Sequence, residues 1–329
     1  MTMPEMRMIE AVRAAIGEEM ERDDRVLVMG EDVGLKGGVF GATDGLYARF
    51  GEARVLDTPL AESAIVGVAI GAALNGLIPI AEIQFADFIH PAFDQIVSEA
   101  ARTRYRSNGD YSVPIVIRTP FGGGVHGGLY HSQSIEAFYA HVPGLKVVVP
   151  STPSDAHGLL KSAVRDADPV LFLEHKKVYR LVTEDVPDGD HLVPIGPAAV
   201  RREGTRLSCF AWGLMTHYCL EAAKMLEAEG VSVEVVDLRT LAPLDRETIL
   251  DSVRKTGKAM VVHEDNITGG FGAEIAAIIS EHAFDSLDGP VVRVAAPDVP
   301  AMPFNGPQED FFMPNPQKIA GAMRKLVAY

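Results

Sequence analysis

The chain has 329 residues, a hydrophobic content of 47% and a formal net charge of −15. This length suffices for two domains, and the composition is typical of a packed protein. Because the charge is strongly negative and no basic stripe compensates it, nucleic acid is excluded as a partner. No uninterrupted apolar stretch reaches membrane-span length, and the acidic N-terminal stretch argues against a signal peptide. We therefore expect a soluble, cytoplasmic protein.

Strand-length apolar runs alternate with helix-length segments in the first part of the chain. Short β-branched strands between helices predict a mostly parallel sheet covered on both faces. The predicted strands are Val26–Met29, Ile78–Ile83, Ile115–Ile117, Lys146–Val149 and Val170–Leu173, and the predicted helices are Ile9–Arg22, Ser63–Gly76, Pro91–Arg106 and Ser154–Val164.

An acidic stretch rich in proline and glycine, Thr183–Pro197, is typical of a linker. After it the alternation begins again, so we predict an α/β fold of two doubly wound domains, residues 1–190 and 191–329. The second domain is expected to contain strands Leu207–Ala211, Val231–Asp237, Ala259–His263 and Val291–Val294, with helices Leu214–Glu229, Asp245–Thr256, Gly272–Glu281 and Pro316–Val327.

A proline-led turn, Thr58–Ala61, precedes a helix whose first turn contains Glu62. The helix is apolar on every side, a pattern typical of burial, so Glu62 is expected in a low-dielectric environment. A buried acid can exchange a proton with a bound ring nitrogen. The alternative is that Glu62 only stabilises the first helical turn, where acidic residues are common.

Polar and aromatic side chains follow the strand that ends at Ile83. This is the sheet edge at which α/β proteins bind ligands. Phe85 and Phe88 suit stacking on a flat heteroaromatic ligand, and Gln84 suits its orientation. The alternative is that both phenylalanines belong to the core.

A glycine-rich loop, Phe121–Ser134, contains His126 and His131, and His141 follows it. An imidazole on such a loop suits acid–base or anion-binding work near neutral pH, although His126 and His141 are equally explained as satisfied loop histidines. The histidine spacing matches no familiar zinc site. A second glycine-rich turn, Thr268–Glu274, lacks the spacing of a nucleotide site and is better explained by tight packing.

Taken together, these segments resemble the β subunit of the thiamine-diphosphate-dependent decarboxylating component of 2-oxo acid dehydrogenase complexes. The resemblance spans nearly the whole chain and is greater to the branched-chain (2-oxoisovalerate) type than to the pyruvate type. It implies a transketolase-like pyrimidine-binding domain followed by a transketolase C-terminal domain. The motifs that carry it are VMGEDVG (28–34), TPLAES (58–63), AEIQFADFIHPAFDQI (81–96), RYRS (104–107), GLYHSQS (128–134), EAFYAH (136–141), DLRTLAPLD (237–245) and HEDNITGGFG (263–272).

The resemblance also implies roles for individual residues. Glu62 corresponds to the glutamate that hydrogen-bonds the aminopyrimidine ring of thiamine diphosphate and controls its tautomer. Leu60 and Gln84 line that pocket, and Phe88 lies beside the pyrimidine, where branched-chain relatives often have Tyr. His131 corresponds to the histidine that acts during decarboxylation and acyl transfer to lipoyl. The resemblance gives His90 no role.

Metal ions and partners are implied as well. Backbone oxygens around Ile115, Ala163, Asp166 and Asp168 correspond to a potassium site. The G-D-G segment that holds Mg²⁺ and the diphosphate is absent from the sequence. An α subunit is therefore expected to supply Mg²⁺ binding within an α2β2 heterotetramer, and a lipoyl-bearing acyltransferase core is expected to bind the complex.

The implied activity is oxidative decarboxylation of 3-methyl-2-oxobutanoate and related acids, with acyl transfer to lipoyl, in branched-chain amino acid catabolism. The same role with pyruvate is the nearest alternative. A flavin- or nucleotide-binding electron carrier is the alternative from another class, since doubly wound domains also bind such cofactors.

Overall fold

The computed structural model describes residues 5–187 and 189–329. The acidic N-terminal stretch and the predicted linker Thr183–Pro197 each include residues outside this described part. The chain divides into two compact units. The first unit is Met1–Phe121 with Phe138–Ile195, and the second unit is Gly122–Ala137 with Gly196–Tyr329.

The first unit is built on a parallel sheet, as predicted. Its strands lie in the order β6-β7-β5-β4-β2-β3, and β1 and β8 form a separate antiparallel pair. The core strands are almost wholly buried β-branched and aliphatic residues, which explains why their positions could be read from the sequence. Their bounds are β1 Glu5–Arg7, β2 Val26–Gly30, β3 Val55–Asp57, β4 Ile78–Glu82, β5 Val116–Phe121, β6 Lys146–Val148, β7 Val170–His175 and β8 Thr183–Asp185.

Helices flank this sheet and agree with the sequence pattern in most places. The side chain of Thr152 caps α6 by accepting a hydrogen bond from the backbone N–H of Asp155, at 3.3 Å, and proline follows the cap. The helices are α1 Met8–Arg22, α2 Leu46–Phe50, α3 Glu62–Leu74, α4 Thr103–Arg106, α5 Glu136–Ala140, α6 Pro153–Val164 and α7 Val178–Leu181, of which α5 begins in the second unit and ends in the first.

The continuous helix predicted over Pro91–Arg106 is wrong. The segment forms a 3₁₀ turn (His90–Ala92), a π-helical stretch (Gln95–Ala100) and the short α4. The backbone N–H of Ala101 donates to Ile96 O, five residues back, and the Thr103 hydroxyl donates to Glu99 O. Apolar periodicity does not distinguish such a π-bulge from a regular helix, because only one residue is inserted.

The second unit has its own sheet, in the order β14-β13-β10-β11-β9, parallel except for the edge strand β9. The final helix agrees with its predicted bounds, but β9, β12 and α11 were not predicted. The elements are β9 Ala199–Arg202, β10 Leu207–Ala211, β11 Val233–Asp237, β12 Thr240–Ala242, β13 Ala259–Asn266, β14 Val292–Ala296, α8 Leu214–Glu227, α9 Arg246–Thr256, α10 Gly272–His282, α11 Gly306–Phe312 and α12 Pro316–Val327.

Among the described residues, no helix is long and apolar enough to cross a membrane.

Candidate active site

Three parallel strands of the first unit end side by side and place polar groups at one edge of the sheet. Gly30, the last residue of β2, is level with Asp57 of β3 and Glu82 of β4. The backbone N–H of Thr58 donates to Gly30 O at 2.9 Å. The Gln84 amide donates to the carbonyl oxygen of Glu31 at 3.2 Å. The segments after β2, β3 and β4 are thereby held together where parallel sheets bind ligands.

Glu62 begins α3, but the expected burial of this helix on every side is wrong. Glu62 is only partly buried, Leu60 is 76% exposed and Val68 is 59% exposed. The helix packs its other face inward through Ile65, Val66 and Ala69. The chain therefore leaves an apolar helix face uncovered, next to the candidate acid. An apolar face of this kind is typical of a surface that another protein covers.

Glu31 is a second carboxyl at this edge that sequence reasoning did not single out. Partial burial raises its pKa, and the negative charges of Glu62 and Asp32 raise it further. The first unit thus contains two acidic groups close enough to interact electrostatically. The signal in the sequence was the acidic pair that directly follows the buried strand β2.

Aromatic rings line the segment after β4. The Phe85 ring lies edge-on to Phe88 at 5.8 Å between centroids and edge-on to Phe40 at 5.5 Å. Phe88 is partly exposed, so part of its ring is accessible to a ligand, and the Lys176 ammonium lies 5.8 Å from the Phe85 centroid. His90 packs edge-on against Phe138, at 5.5 Å, which gives it a structural explanation.

A buried ion network supports these strand ends. The Arg118 guanidinium, fully buried on β5, donates to Glu82 on β4 and to Glu174 on β7, and the Tyr179 hydroxyl donates to Glu174. Burial by itself raises the pKa of Glu82, and the positive charge of Arg118 opposes that shift. Burial by itself lowers the pKa of Arg118, but the two carboxylates raise it more, so the guanidinium stays charged. The network joins the neighbouring strands β4, β5 and β7, and Glu82 is the last residue of β4.

His131 belongs to the second unit, because the glycine-rich loop groups with that unit. It follows a 3₁₀ turn, Gly128–Tyr130, and its side chain is exposed. Glu62 and His131 therefore come from different compact units. Among the described residues, no group of three or more His, Cys, Asp and Glu side chains is arranged to hold a metal ion.

Comparisons with known proteins identify the family. Residues 4–182 match the family model described as transketolase, pyrimidine binding domain, and residues 196–319 match transketolase, C-terminal domain. The 2-oxoisovalerate dehydrogenase subunit beta of Bacillus subtilis (strain 168) is 60% identical over 98% of this chain and 99% of its own length. The chain belongs to the family of 2-oxo acid dehydrogenase β subunits.

Two further proteins are similar to the chain over nearly its whole length. The pyruvate dehydrogenase E1 component subunit beta of Bacillus subtilis (strain 168) is 50% identical over 99% of this chain and 100% of its own length. A solved structure titled "Split gene transketolase, inactive beta4 tetramer" has a TM-score of 0.79 and 28% identity and covers 98% of each chain. The resemblance inferred from the motifs and the predicted fold class are confirmed, and the comparisons do not favour the electron-carrier alternative.

The four residues expected around a cation in this family member are already engaged by protein groups. The carbonyl oxygen of Ile115 accepts from Val170 N–H, and that of Ala163 accepts from Asp166 N–H. The Asp166 carboxylate pairs with Lys146, and the Asp168 carboxylate pairs with Arg104. Each carbonyl keeps a second lone pair, so the potassium site stays a prediction that depends on main-chain oxygens.

The second unit contains a buried polar cluster that sequence reasoning missed. The Trp212 indole donates to Glu136 at 3.0 Å and stacks on His263, with 5.6 Å between ring centroids and an interplanar angle of 4°. Burial lowers the pKa of His263 to about 4, so the ring is neutral near pH 7. A Cβ at Gly272 would lie 2.5 Å from the His263 ring, which supports tight packing as the reason for the glycine-rich turn 268–274.

Glu136 makes this cluster pH-sensitive. Burial, followed by the charge of Asp265, raises its pKa to about 8. A carboxyl with a raised folded-state pKa contributes stability that is complete below its unfolded pKa and is lost as the pH rises through the folded one.

We therefore expect Glu136→Gln, which keeps an oxygen for the Trp212 N–H, to raise the melting temperature near pH 9. The increase should be a few degrees, because 1 kcal/mol corresponds to about 2–4 °C in a unit of this size. Melting curves of both proteins from about pH 4 to 9 test this, with exposed Glu281→Gln as a control. A difference that is as large near pH 4 as near pH 9 would contradict it.

Proposed function

We propose that this chain is the β subunit of a branched-chain 2-oxo acid dehydrogenase. In this role it contributes to oxidative decarboxylation of 3-methyl-2-oxobutanoate and related acids, with acyl transfer to a lipoyl group. The observation that supports the substrate class most is the 60% identity to a 2-oxoisovalerate dehydrogenase β subunit, against 50% to a pyruvate dehydrogenase β subunit, each over nearly full length. Pyruvate remains the second candidate substrate.

The cofactor proposed for this chain is thiamine diphosphate, and the first unit is proposed to bind the pyrimidine half of it. An acidic group, an amide and a partly exposed aromatic ring, namely Glu62, Gln84 and Phe88, follow neighbouring strand ends, and these groups suit a flat aminopyrimidine. When bound, thiamine diphosphate supplies the electron sink for decarboxylation. Glu62 would share a proton with a pyrimidine nitrogen, Gln84 would orient the ring and Phe88 would pack against it.

Glu31 would support this proton exchange. Its pKa is raised by burial and by the negative charges of Glu62 and Asp32, so Glu31 holds its proton to a higher pH than a free glutamate does. Leu60, 76% exposed beside them, would be covered when the site is assembled and would exclude water from it.

The partner proposed is an α subunit, in an α2β2 heterotetramer. Two observations support it. The sequence lacks the G-D-G segment for Mg²⁺ and diphosphate, and α3 leaves an apolar face exposed beside Glu62. A chain that covers this face would bring the missing half of the cofactor site to the right strand ends. A lipoyl-bearing acyltransferase core would then receive the acyl group.

Cofactor binding tests the shared site. We expect the β chain alone to bind thiamine diphosphate with Mg²⁺ at least about 100-fold more weakly than its mixture with the α subunit, since a divided site loses the contacts of one half. Isothermal titration calorimetry of the β chain, the α chain and the mixture provides the comparison. Tight binding by the β chain alone would contradict the proposal.

His131 is proposed as the acid–base group for the acyl steps, because an exposed imidazole on a glycine-rich loop can transfer protons near neutral pH. We expect His131→Ala to lower the rate of lipoyl acylation about 10²–10⁴-fold while thiamine diphosphate affinity is retained. Single-turnover acylation of an isolated lipoyl domain measures this, with His282→Ala in the same unit as the control. An unchanged acylation rate would show that His131 has another role.

A further inference from the structure

The loop that contains His131 is anchored by a carboxylate that lies near the C-terminal end of the chain. Glu309 lies in α11 and is 2% exposed. It accepts hydrogen bonds from the backbone N–H groups of Gly124, at 2.9 Å, and His126, at 3.3 Å. Its other oxygen lies 2.6 Å from Nδ1 of the His126 ring. One buried side chain thus contacts three groups of the same loop.

A second buried carboxylate supports the same loop near its start. Glu264, 4% exposed at the end of β13, accepts from the backbone N–H of Gly123. The loop also closes on itself, since Gly122 N–H donates to Gln133 O at 2.9 Å. His131 lies inside this closed loop, between the anchored glycines and the return point at Gln133.

Close packing explains why the loop is so rich in glycine. A Cβ at Gly123 would lie 2.5 Å from the Met302 side chain. A Cβ at Gly128, where φ is +65°, would lie 3.1 Å from Phe304. The segment that leads into α11 therefore packs directly against the loop at Gly123 and Gly128.

His126 occupies a conformation that needs support. Its φ is +56°, in the left-handed region that residues other than glycine seldom adopt. Such a conformation persists only where surrounding contacts favour it. Glu309 supplies those contacts at both the backbone N–H and the ring of His126, which explains the second loop histidine without assigning it to a metal or to the reaction.

We propose that Glu309 is a positioning residue for His131 and acts through His126 and the backbone of Gly124. The inference rests on the proposed function, because it assumes that His131 carries the acid–base step. Without Glu309, two backbone N–H groups lose their acceptor and the left-handed turn at His126 loses its support. The loop then samples other positions, and His131 spends less time where it can transfer a proton. The cofactor-binding groups of the first unit are not changed.

The test uses the assembled α–β complex with the branched 2-oxo acid, thiamine diphosphate and Mg²⁺. We expect Glu309→Ala to lower kcat for lipoyl acylation about 10–100-fold, because a displacement of about 1 Å in a reacting group can cost 100-fold. KM for the 2-oxo acid and cofactor affinity should be retained. Glu309→Gln, which keeps an oxygen acceptor, should recover most of kcat. Asp310→Ala, one residue further in α11 but exposed, is the matched control.

A double-mutant cycle with His131 separates positioning from general destabilisation. If Glu309 acts through His131, then Glu309→Ala adds nothing to the residual rate of His131→Ala. The inference would be overturned if Glu309→Ala lowered kcat by the same factor in the parent and in the His131→Ala complex. A Glu309→Ala complex that keeps more than half of kcat would also overturn it. If the Glu309→Ala complex does not assemble, the same double-mutant cycle is measured with His126→Gly in place of Glu309→Ala. This change removes the His126 ring and still allows a positive φ. A His131→Ala complex with normal activity would instead overturn the proposed function.

Discussion

Replacing Glu62 with Gln is expected to abolish most turnover of the assembled complex while leaving the fold and the α–β association intact. An amide keeps the shape of the side chain but cannot share a proton with a pyrimidine nitrogen, and a positioned acid–base group contributes about 10²–10⁴-fold. Glu62 is partly exposed at the start of α3, so no buried charge is lost and folding should not suffer. Steady-state decarboxylation with an artificial electron acceptor measures the effect.

The matched control is Glu52→Gln, an exposed carboxylate of the same unit. It should keep normal turnover. Circular dichroism and size-exclusion chromatography should show that both variants fold and associate normally with the α subunit. Near-normal activity of the Glu62→Gln complex would remove Glu62 from the proposed chemistry and leave it as a residue that stabilises the first turn of α3.

Replacing Arg118 with Met is expected to destabilise the first unit by about 3–5 kcal/mol, because it leaves the partners of a buried ion network without their counter-charge. The Arg118 side chain is fully buried and forms ion pairs with Glu82 and Glu174. Burial raises the pKa of the Glu82 carboxyl, and protonation removes its charge, so the loss of stability should be smaller near pH 5 than near pH 8.

Urea unfolding of the Arg118→Met variant at both pH values tests this, with exposed Arg102→Met as the control, which should change stability by less than about 0.5 kcal/mol. Adding Glu82→Gln and Glu174→Gln to Arg118→Met should recover part of the loss, because the remaining buried groups are then uncharged. A variant as stable as the parent would show that the network contributes nothing to the stability of these strand ends.

The sequence was most informative where a single physical rule decides the structure. The strands β2, β4 and β7 each begin with an apolar run of at least four residues, the pattern typical of a strand that is buried on both faces. The bounds of α12 follow from its Asn315 cap, the proline that follows and its amphipathic pattern. Short edge elements such as β3 and β9 were not predicted, since a few partly exposed residues carry no periodic signal.

Only the candidate-site residues that lie in distinctive local motifs could be predicted from the sequence. Glu62, Gln84 and His131 stand out because each lies in a distinctive motif. Glu31 gains significance from the electrostatic effect of Glu62 on its pKa, which depends on the order of the strands in the sheet. Arg118 and Glu309 act through partners far along the chain, so no local pattern reveals them. The exposed face of α3 was mistaken for a buried one because apolar composition does not distinguish a core from a surface that a partner covers.

The most direct test of the proposed function is turnover of two 2-oxo acids by the β chain mixed with its α subunit, thiamine diphosphate and Mg²⁺. With an artificial electron acceptor, 3-methyl-2-oxobutanoate should be decarboxylated with a kcat/KM at least about 10-fold above that for pyruvate, a difference of about 1.4 kcal/mol in transition-state binding. Neither chain alone should turn over either acid. Preference for pyruvate would contradict the branched-chain assignment, and turnover by the β chain alone would contradict the shared site.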